Sequence, residues 1–271
     1  EIGVQINNYL IKPGSLLPTL ETSNKNPALL PDERALESAV FVNDKIKINS
    51  KFDMGIGLRF ALYQALGSGK VYNYEAKQPR STLSLTDSTM FQKGDVIKQY
   101  SSIEPRISFN YSINANSSIK ASANRMSQFI NLLSNTTAAL PSDRWKLSDV
   151  YTKPQYSNQF SIGYFRNSKD KTYELSAELF YKQLFNAIDY KDGETLILNP
   201  KPETVILQGD GFAYGAELFI KKNLGVLTGW LSYTYSQTLI KIIGDSPEET
   251  INNGNYFPPI FNRPHSFNAV G

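Results

Sequence analysis

The chain has no cysteine among its 271 residues and only one histidine. The first absence removes disulfide frameworks, thiol nucleophiles and thiolate metal sites. The second leaves His265 alone in "NRPHSF", with no neighbouring metal ligands and no nucleophile to pair with. It reads as the residue that starts a strand after Pro264. No catalytic residue, metal site or cofactor is therefore expected. Long apolar runs are also missing. Nothing approaches the ~18–20 apolar residues of a spanning helix, and mean hydropathy is −0.34. That excludes a bundle of membrane helices but not a membrane barrel, whose alternating strands leave the average polar. Net charge is only +3, and without a basic stripe no nucleic-acid partner is expected.

What the chain does have is aromatic residues: 12% of it, with 16 Tyr and 15 Phe. Barrels place such residues in girdles at both membrane interfaces. It also has alternation. Phe52, Met54, Ile56, Leu58, Phe60 and Leu62 share one parity, against Asp53, Gly55, Gly57, Arg59 and Tyr63 on the other. Ile107, Phe109, Tyr111 and Ile113 oppose Arg106, Ser108, Asn110 and Ser112. Tyr173, Leu175, Ala177, Leu179 and Tyr181 oppose Glu174, Ser176, Glu178 and Lys182. Period-two patterning of this kind marks strands with two unlike faces. About ten such strands can be traced, several longer than the usual five or six residues. No bulge or proline is expected to interrupt them. The stretch "SDRWKLSDVY" alone suggests a helical turn within a loop.

The connectors alternate as well. Tight turns are expected near "NDKIKINS", "NANSS", "NSKDK" and "KNLG". Long connectors occupy about 12–33, 65–97, 131–154, 191–207 and 238–263. Loops beyond ~12–15 residues are uncommon in compact domains, yet here every second connector is long. Outer-membrane barrels carry that asymmetry. It decides which face points in. In a soluble sheet the apolar face would cover a core. In a barrel it would meet lipid, and Arg59, Lys120, Glu174, Glu178, Lys182, Glu217 and Trp230 would line the lumen. On "LGVLTGWLSYTYSQT", Leu227, Leu231, Tyr233 and Tyr235 then face lipid, the two tyrosines approaching the outer rim, while Trp230 and the row from Thr228 to Ser236 face inward. Arg125 falls on the apolar parity, which requires either snorkelling to the headgroups or a bulge that shifts the register.

Other motifs carry less. "GSGK" and "GDGFAYG" lack phosphate-loop spacing. The triplets "NYS", "NSS" and "NTT" are chance matches to a glycosylation signal. Glu174 and Glu178 lie ~13 Å apart along a strand, too far to share one proton transfer. Exposed loop aromatics suit ligand stacking, and Tyr72, Tyr74, Trp145, Tyr256 and Phe257 are the candidate ligand-binding residues. Loop self-packing is the plainer alternative.

In order, the segments "LPSDRWKLSDVYTKPQYSNQFSIGYFRN", "YELSAELFYKQLFNAIDY", "GFAYGAELFIKK", "GWLSYTYSQT" and "NNGNYFPPIFNRPHSFN" resemble the barrel of TonB-dependent outer-membrane receptors. The resemblance implies an all-β, transmembrane antiparallel β-barrel of 22 strands. It implies a plug domain inside and a scarce nutrient imported with TonB-coupled energy. Residues 1–271 then form a single region of mid-to-late strands, with the plug and the final strands outside it. No leader precedes "EIGVQI", so a piece of a longer chain is expected. The implied partners are outer-membrane lipid, the rest of its own barrel and plug, and TonB through segments outside this region. A surface lipoprotein or other outer-membrane subunits could be added to these. Two other readings stay open: a scaffold subunit of an outer-membrane assembly that has lost transport, and a soluble secreted carbohydrate-binding β-protein.

Overall fold

The computed structural model describes all residues except 20, 21, 23, 25, 26, 135–142, 194, 195, 197 and 198, with residues 16 and 28 described by backbone only. The "NTT" triplet at 135–137 lies outside the described residues. Among the described residues there is one ten-stranded sheet. Its strands are β1 (Ile2–Ile11), β2 (Glu33–Lys47), β3 (Phe52–Leu66), β4 (Val96–Asn114) and β5 (Ser117–Gln128). They continue as β6 (Gln155–Asn167), β7 (Tyr173–Tyr190), β8 (Ile206–Lys222), β9 (Gly229–Lys241) and β10 (His265–Val270). Each strand pairs antiparallel with the next in sequence, so the sheet is an uninterrupted meander with β1 and β10 at its edges.

The short turns are built from local polar side chains. Between β2 and β3, Asn49 Oδ1 accepts the backbone N–H groups of Lys51 and Phe52 at 2.8 and 3.0 Å. Between β6 and β7, Asp170 accepts from the Ser168 and Thr172 hydroxyls, and these bonds hold its carboxyl down at about 2. Gly225, with φ +112°, turns the chain before β9. That strand begins only at Gly229, so Leu227 and Thr228 belong to the turn and not to either strand face.

The long connectors lie at the opposite end and contain hairpins of their own. Ser15–Leu16 pairs with Ala28–Leu29, Gly69–Tyr74 with Leu85–Phe91, and Ile130–Leu133 with Arg144–Leu147. "SDRWKLSDVY" is thus not a helical turn: Arg144–Leu147 is a strand. The i,i+3 pair of Lys146 and Asp149 forms as the chain turns after it.

The strands are less regular than the sequence suggests. Registers shift between Leu184 and Ala187, between Ala65 and Leu66, and between Ser112 and Asn114. At the first of these Asn186 takes a positive φ of 54°, which asparagine tolerates better than most residues. Pro105 sits inside β4. Proline has no ladder donor, and the β4–β5 ladder ends at Arg106↔Asn124, one residue short of it.

The two faces separate cleanly. On one, Ile56, Leu58, Phe60, Phe160, Ile162, Leu179, Leu218 and Leu231 are all exposed. On the other, Ala35, Glu37, Ala39, Ala61, Tyr63 and Ala65 are buried. That buried set continues into Phe129 and Leu147 of the third hairpin, which folds over the polar face. The apolar face is therefore the uncovered one. Tyr233 and Tyr235 sit in its middle, opposite Phe267 and His265; Tyr235 is level with Ile162 and Leu179, and Tyr233 with Tyr164 and Ala177. The aromatic residues nearest the long loops on this face are instead Tyr156, Phe185 and Phe212.

Close strand approach depends on glycine at Gly215. A β-carbon there would lie 2.4 Å from the Tyr235 carbonyl oxygen and 2.7 Å from the Phe180 ring. Gly215→Ala should cost on the order of 1–3 kcal/mol in denaturant titration of the intact protein.

Candidate functional site

The polar face carries graded charge. Arg59 bridges two acids from neighbouring strands, Glu37 at 2.6 Å and Glu104 at 3.1 Å. Tyr9 donates to the second oxygen of Glu37 at 2.8 Å. These three strands meet because the register sets Arg59 directly beside Glu104, while Glu37 reaches it from four residues along β2, measured from Arg59's own partner Phe41. Toward the short turns, one lateral row reads Asp53, Asn110, Lys120, Gly163, Glu178, Glu217 and Thr234. Lys120 lies over the Phe165 ring at 4.5 Å. Glu178 and Glu217 are direct neighbours of like charge. Glu174 accepts from Asn223 Nδ2 at 2.7 Å and stands opposite Lys221. Lys182 lies between Gln159 and Ala213, and Trp230 stacks on Phe219. The seven charged or aromatic residues singled out on this parity therefore share one face.

At the long-loop end the connectors interlock. Glu33, at the start of β2, accepts from Arg144 Nη2 at 3.1 Å, Lys146 Nζ at 3.2 Å and the Leu147 N–H at 2.8 Å. Lys146 also meets Asp149 at 2.5 Å. Burial alone would pull its ammonium down, but Asp149 and Glu33 together outweigh that and hold it above its usual range. The sheet grips the same segment. Tyr63 donates to the Ser148 carbonyl at 2.8 Å, Tyr100 donates to the Asp149 carbonyl at 2.6 Å, and Tyr63 stacks on Phe129 at 4.8 Å.

A second hub centres on Arg80. Its backbone N–H donates to Glu249, its Nε to the Glu203 carbonyl and its Nη2 to the Ile206 carbonyl. Lys191 pairs with Glu249 at 3.2 Å and donates to the Arg80 carbonyl. The connectors after β3, β7 and β9 are thereby tied to one another.

Beneath these hubs lies a cavity of about 440 Å³ whose walls include Glu33, Tyr72, Arg144, Ser148, Tyr151 and Glu203. Arg144 Nε and Ser148 Oγ are buried there without a hydrogen-bond partner. Burial also raises the Glu203 carboxyl, whose other neighbours are Tyr74, Asp149 and Lys146. Tyr74 donates to it at 2.8 Å, and its own hydroxyl is pushed up by burial and by that carboxylate.

The five candidate aromatics do not converge on one point. Tyr72 lines the cavity with Lys201 over its ring at 4.3 Å. Tyr74 packs edge-on to Tyr151. Trp145 is exposed, on the opposite side of its strand from Arg144 and Lys146. Tyr256 lies edge-on to Phe212, and Phe257 bonds the backbone of Ile240 and packs into a separate cluster with Leu207 and Ile242. Sequence reasoning missed Glu33, Arg80, Arg144, Lys146, Lys191, Glu203 and Glu249. Their partners lie far along the chain, 169 residues apart for Arg80 and Glu249, and no local pattern joins them. His265 does begin a strand and bonds the Tyr233 hydroxyl at 2.9 Å.

Comparison with known proteins adds a family to this geometry. Residues 6–271 match the family model described as "TonB dependent receptor-like, beta-barrel". No curated protein matches the sequence. Among solved structures, the apoprotein form of the FrpB iron transporter from Neisseria meningitidis is 14% identical, covers 99% of this chain and 38% of its own, with a TM-score of 0.56. The closed form of the ferric-catecholate import receptor Fiu from E. coli K12 is 16% identical, covers 98% and 38%, with a TM-score of 0.55. The ferripyoverdine receptor of the outer membrane of Pseudomonas aeruginosa is 13% identical, covers 90% and 26%, with a TM-score of 0.55. The chain thus spans between 26% and 38% of the length of these three receptors.

Two measurements test the loop assembly. Glu33→Ala leaves two buried cations without their shared acid and should cost ~3–5 kcal/mol of local stability, seen as faster amide exchange across residues 144–147. Glu203 binds its proton more tightly in the folded loops than in the unfolded chain, so its contribution favours the loops at low pH and fades as pH rises through the raised value. Amide exchange around Tyr74 and Glu203, corrected for intrinsic rates, should quicken over that rise. Glu203→Gln should flatten the dependence.

Proposed function

Because this chain belongs to the family of TonB-dependent receptor-like β-barrels, we propose that it forms part of an outer-membrane receptor that captures a scarce nutrient at its long loops. The nutrient then passes through a lumen lined by Arg59, Lys120, Glu174, Glu178, Lys182, Glu217 and Trp230. The observation that carries this reading is the pairing of faces with loops: the apolar face is left bare, while the polar face is the one the long connectors fold over. A soluble sheet would do the reverse and bury Leu231 and its neighbours against protein.

The direction of the apolar face follows from depth. From Asn158 to Arg166 along β6 is eight residues (158 to 166), or ~26 Å at ~3.3 Å per residue. Tilting the strand by ~40° shortens that to ~20 Å of height, close to the ~25 Å apolar band of an outer-membrane barrel. Polar or charged residues mark both limits: Arg125, Asn158 and Gln183 toward the loops, Arg166 toward the turns. Between them the face carries no charge on β6, whose outward residues there are Phe160, Ile162 and Tyr164.

The remaining partners follow as part of the same proposal. Further strands would pair with β1 and β10, since an open edge exposes unsatisfied backbone to hydrocarbon. A plug would fill the lumen, and TonB would supply the energy through segments outside this region. A surface lipoprotein or other outer-membrane subunits could cap the loops. The capture site would include the cavity beside Tyr72 and Tyr151, with Tyr74 packed against Tyr151, while Trp145, Tyr256 and Phe257 stand apart from it on the long connectors. The cited receptors of this fold carry iron, so ferric catecholates are the first probes. No covalent chemistry is required of any residue.

The face assignment is tested by depth. In the full receptor reconstituted in phospholipid vesicles, Ile162→Arg at mid-band should cost ~2–4 kcal/mol and Phe160→Arg, nearer the loops, distinctly less. Equal, small costs at both positions would mean that the face does not meet lipid. Capture is tested separately, by ferric-catecholate uptake in iron-limited cells carrying Tyr72→Ala.

A further inference from the structure

Arg125 occupies an unusual place. It lies on the apolar face of β5, in the row Arg125, Asn158, Gln183 that bounds the apolar band on the long-loop side. Its guanidinium covers the Tyr156 ring at 4.4 Å, and Tyr156 in turn stacks on Phe185 at 4.4 Å with the rings nearly parallel. The continuous β5–β6 register shows that no bulge has turned it outward by accident. Asn158 donates to Gln183 at 3.2 Å beside it.

No carboxylate of the described residues pairs with Arg125, in contrast to Arg34, Arg59 and Arg144, which all have acids. Its Nε is buried and makes no hydrogen bond. The opposite neighbour offers nothing either: Pro105 comes next after the end of the β4–β5 ladder and supplies no N–H. β5 is flanked by β4 and β6 in the middle of the sheet, so strands added at either edge cannot reach it. A forked cation at a hydrocarbon boundary, packed on an aromatic face and lacking a protein counter-ion, is matched by one kind of partner: a phosphate at headgroup depth. The long-loop side would face the outer leaflet.

We infer that Arg125, shelved on Tyr156 and Phe185, is a binding site for the phosphorylated headgroup of an outer-leaflet lipid. The two Nη groups donate to the phosphate oxygens, while the buried Nε stays out of reach. The two rings lie beside the first acyl carbons, and the Asn158–Gln183 amides flank the headgroup. This site rests on the reading that the apolar face meets lipid. It is separate from nutrient capture, which belongs to the loops and the polar face.

The test uses the full receptor in vesicles of phosphatidylethanolamine with a minor fraction of bis-phosphorylated lipid A, released gently and counted for bound lipid by native mass spectrometry. Wild type should retain lipid A over its dephosphorylated form, and Arg125→Gln should lower retention by roughly tenfold. Arg125→Lys should recover only part of it, because an ammonium keeps the charge but not the fork. Equal retention by wild type and Arg125→Gln would overturn the site, as would equal retention of the dephosphorylated lipid. So would displacement by millimolar inorganic phosphate, which would indicate a soluble-anion site. If Ile162→Arg proves costly while lipid A retention is unchanged in Arg125→Gln, the lipid-facing reading stands and this site alone falls.

Discussion

The sheet's antiparallel register is the constraint on which everything else rests. Side chains alternate with a period of two, so a slip of one residue would exchange the two faces along a whole strand. Each of the ten strands is held by its neighbours in sequence, from Ile2↔Val42 at one edge to Trp230↔Val270 at the other. That single alignment puts Arg59 beside Glu104, Glu178 beside Glu217, and Ile162 beside Leu179. Where the alignment shifts, it does so near strand ends, as at Leu184/Ala187 and Ala65/Leu66, and the segregation of faces in the centre is preserved.

The loops show a different physics. They bury apolar groups such as Leu133, Leu147, Leu196, Val205 and Ile242, and are also joined through charges. Glu33 neutralises two cations from a hairpin more than a hundred residues away, and Arg80 ties three connectors together through backbone carbonyls and Glu249. Burying ions is costly, and such clusters hold only when every member is paired. Lys146 shows the balance, because two acids are needed to outweigh its burial. The result is a canopy with a defined shape whose parts are coupled, which differs from a set of independent flexible loops.

These two kinds of order explain what could be read in advance. Strand parity is local, so the ten strands, their faces and the alternation of short and long connectors were legible from residues such as Phe52 to Leu62. Boundaries were less so. Gly225 and its turn displaced the start of β9 past Leu227, which parity alone cannot detect. Arg144–Leu147 is four residues long and finds its partner across the connector, at Ile130–Leu133. The ionic hubs had no local signature at all, because their members are brought together by the sheet beneath them. Tyr233 and Tyr235 were placed too near the loop rim because strand direction fixes depth, and depth depends on which end of β9 meets a short turn.

Arg125 shows where the two kinds of order meet. The lateral ladder gives it no freedom to face the polar side, since its neighbour Asn124 is fixed opposite Gln159 and Arg106 there. Pro105 stops the ladder on the other flank, so the charge stands beside a gap in backbone pairing. An arginine on the apolar parity in mid-band would cost several kcal/mol, but at the band's edge the cost falls toward zero. It sits at that edge, on an aromatic ring that shields its flat side. The same register that excludes charge from the centre of this face therefore permits one here, at the row of Asn158 and Gln183.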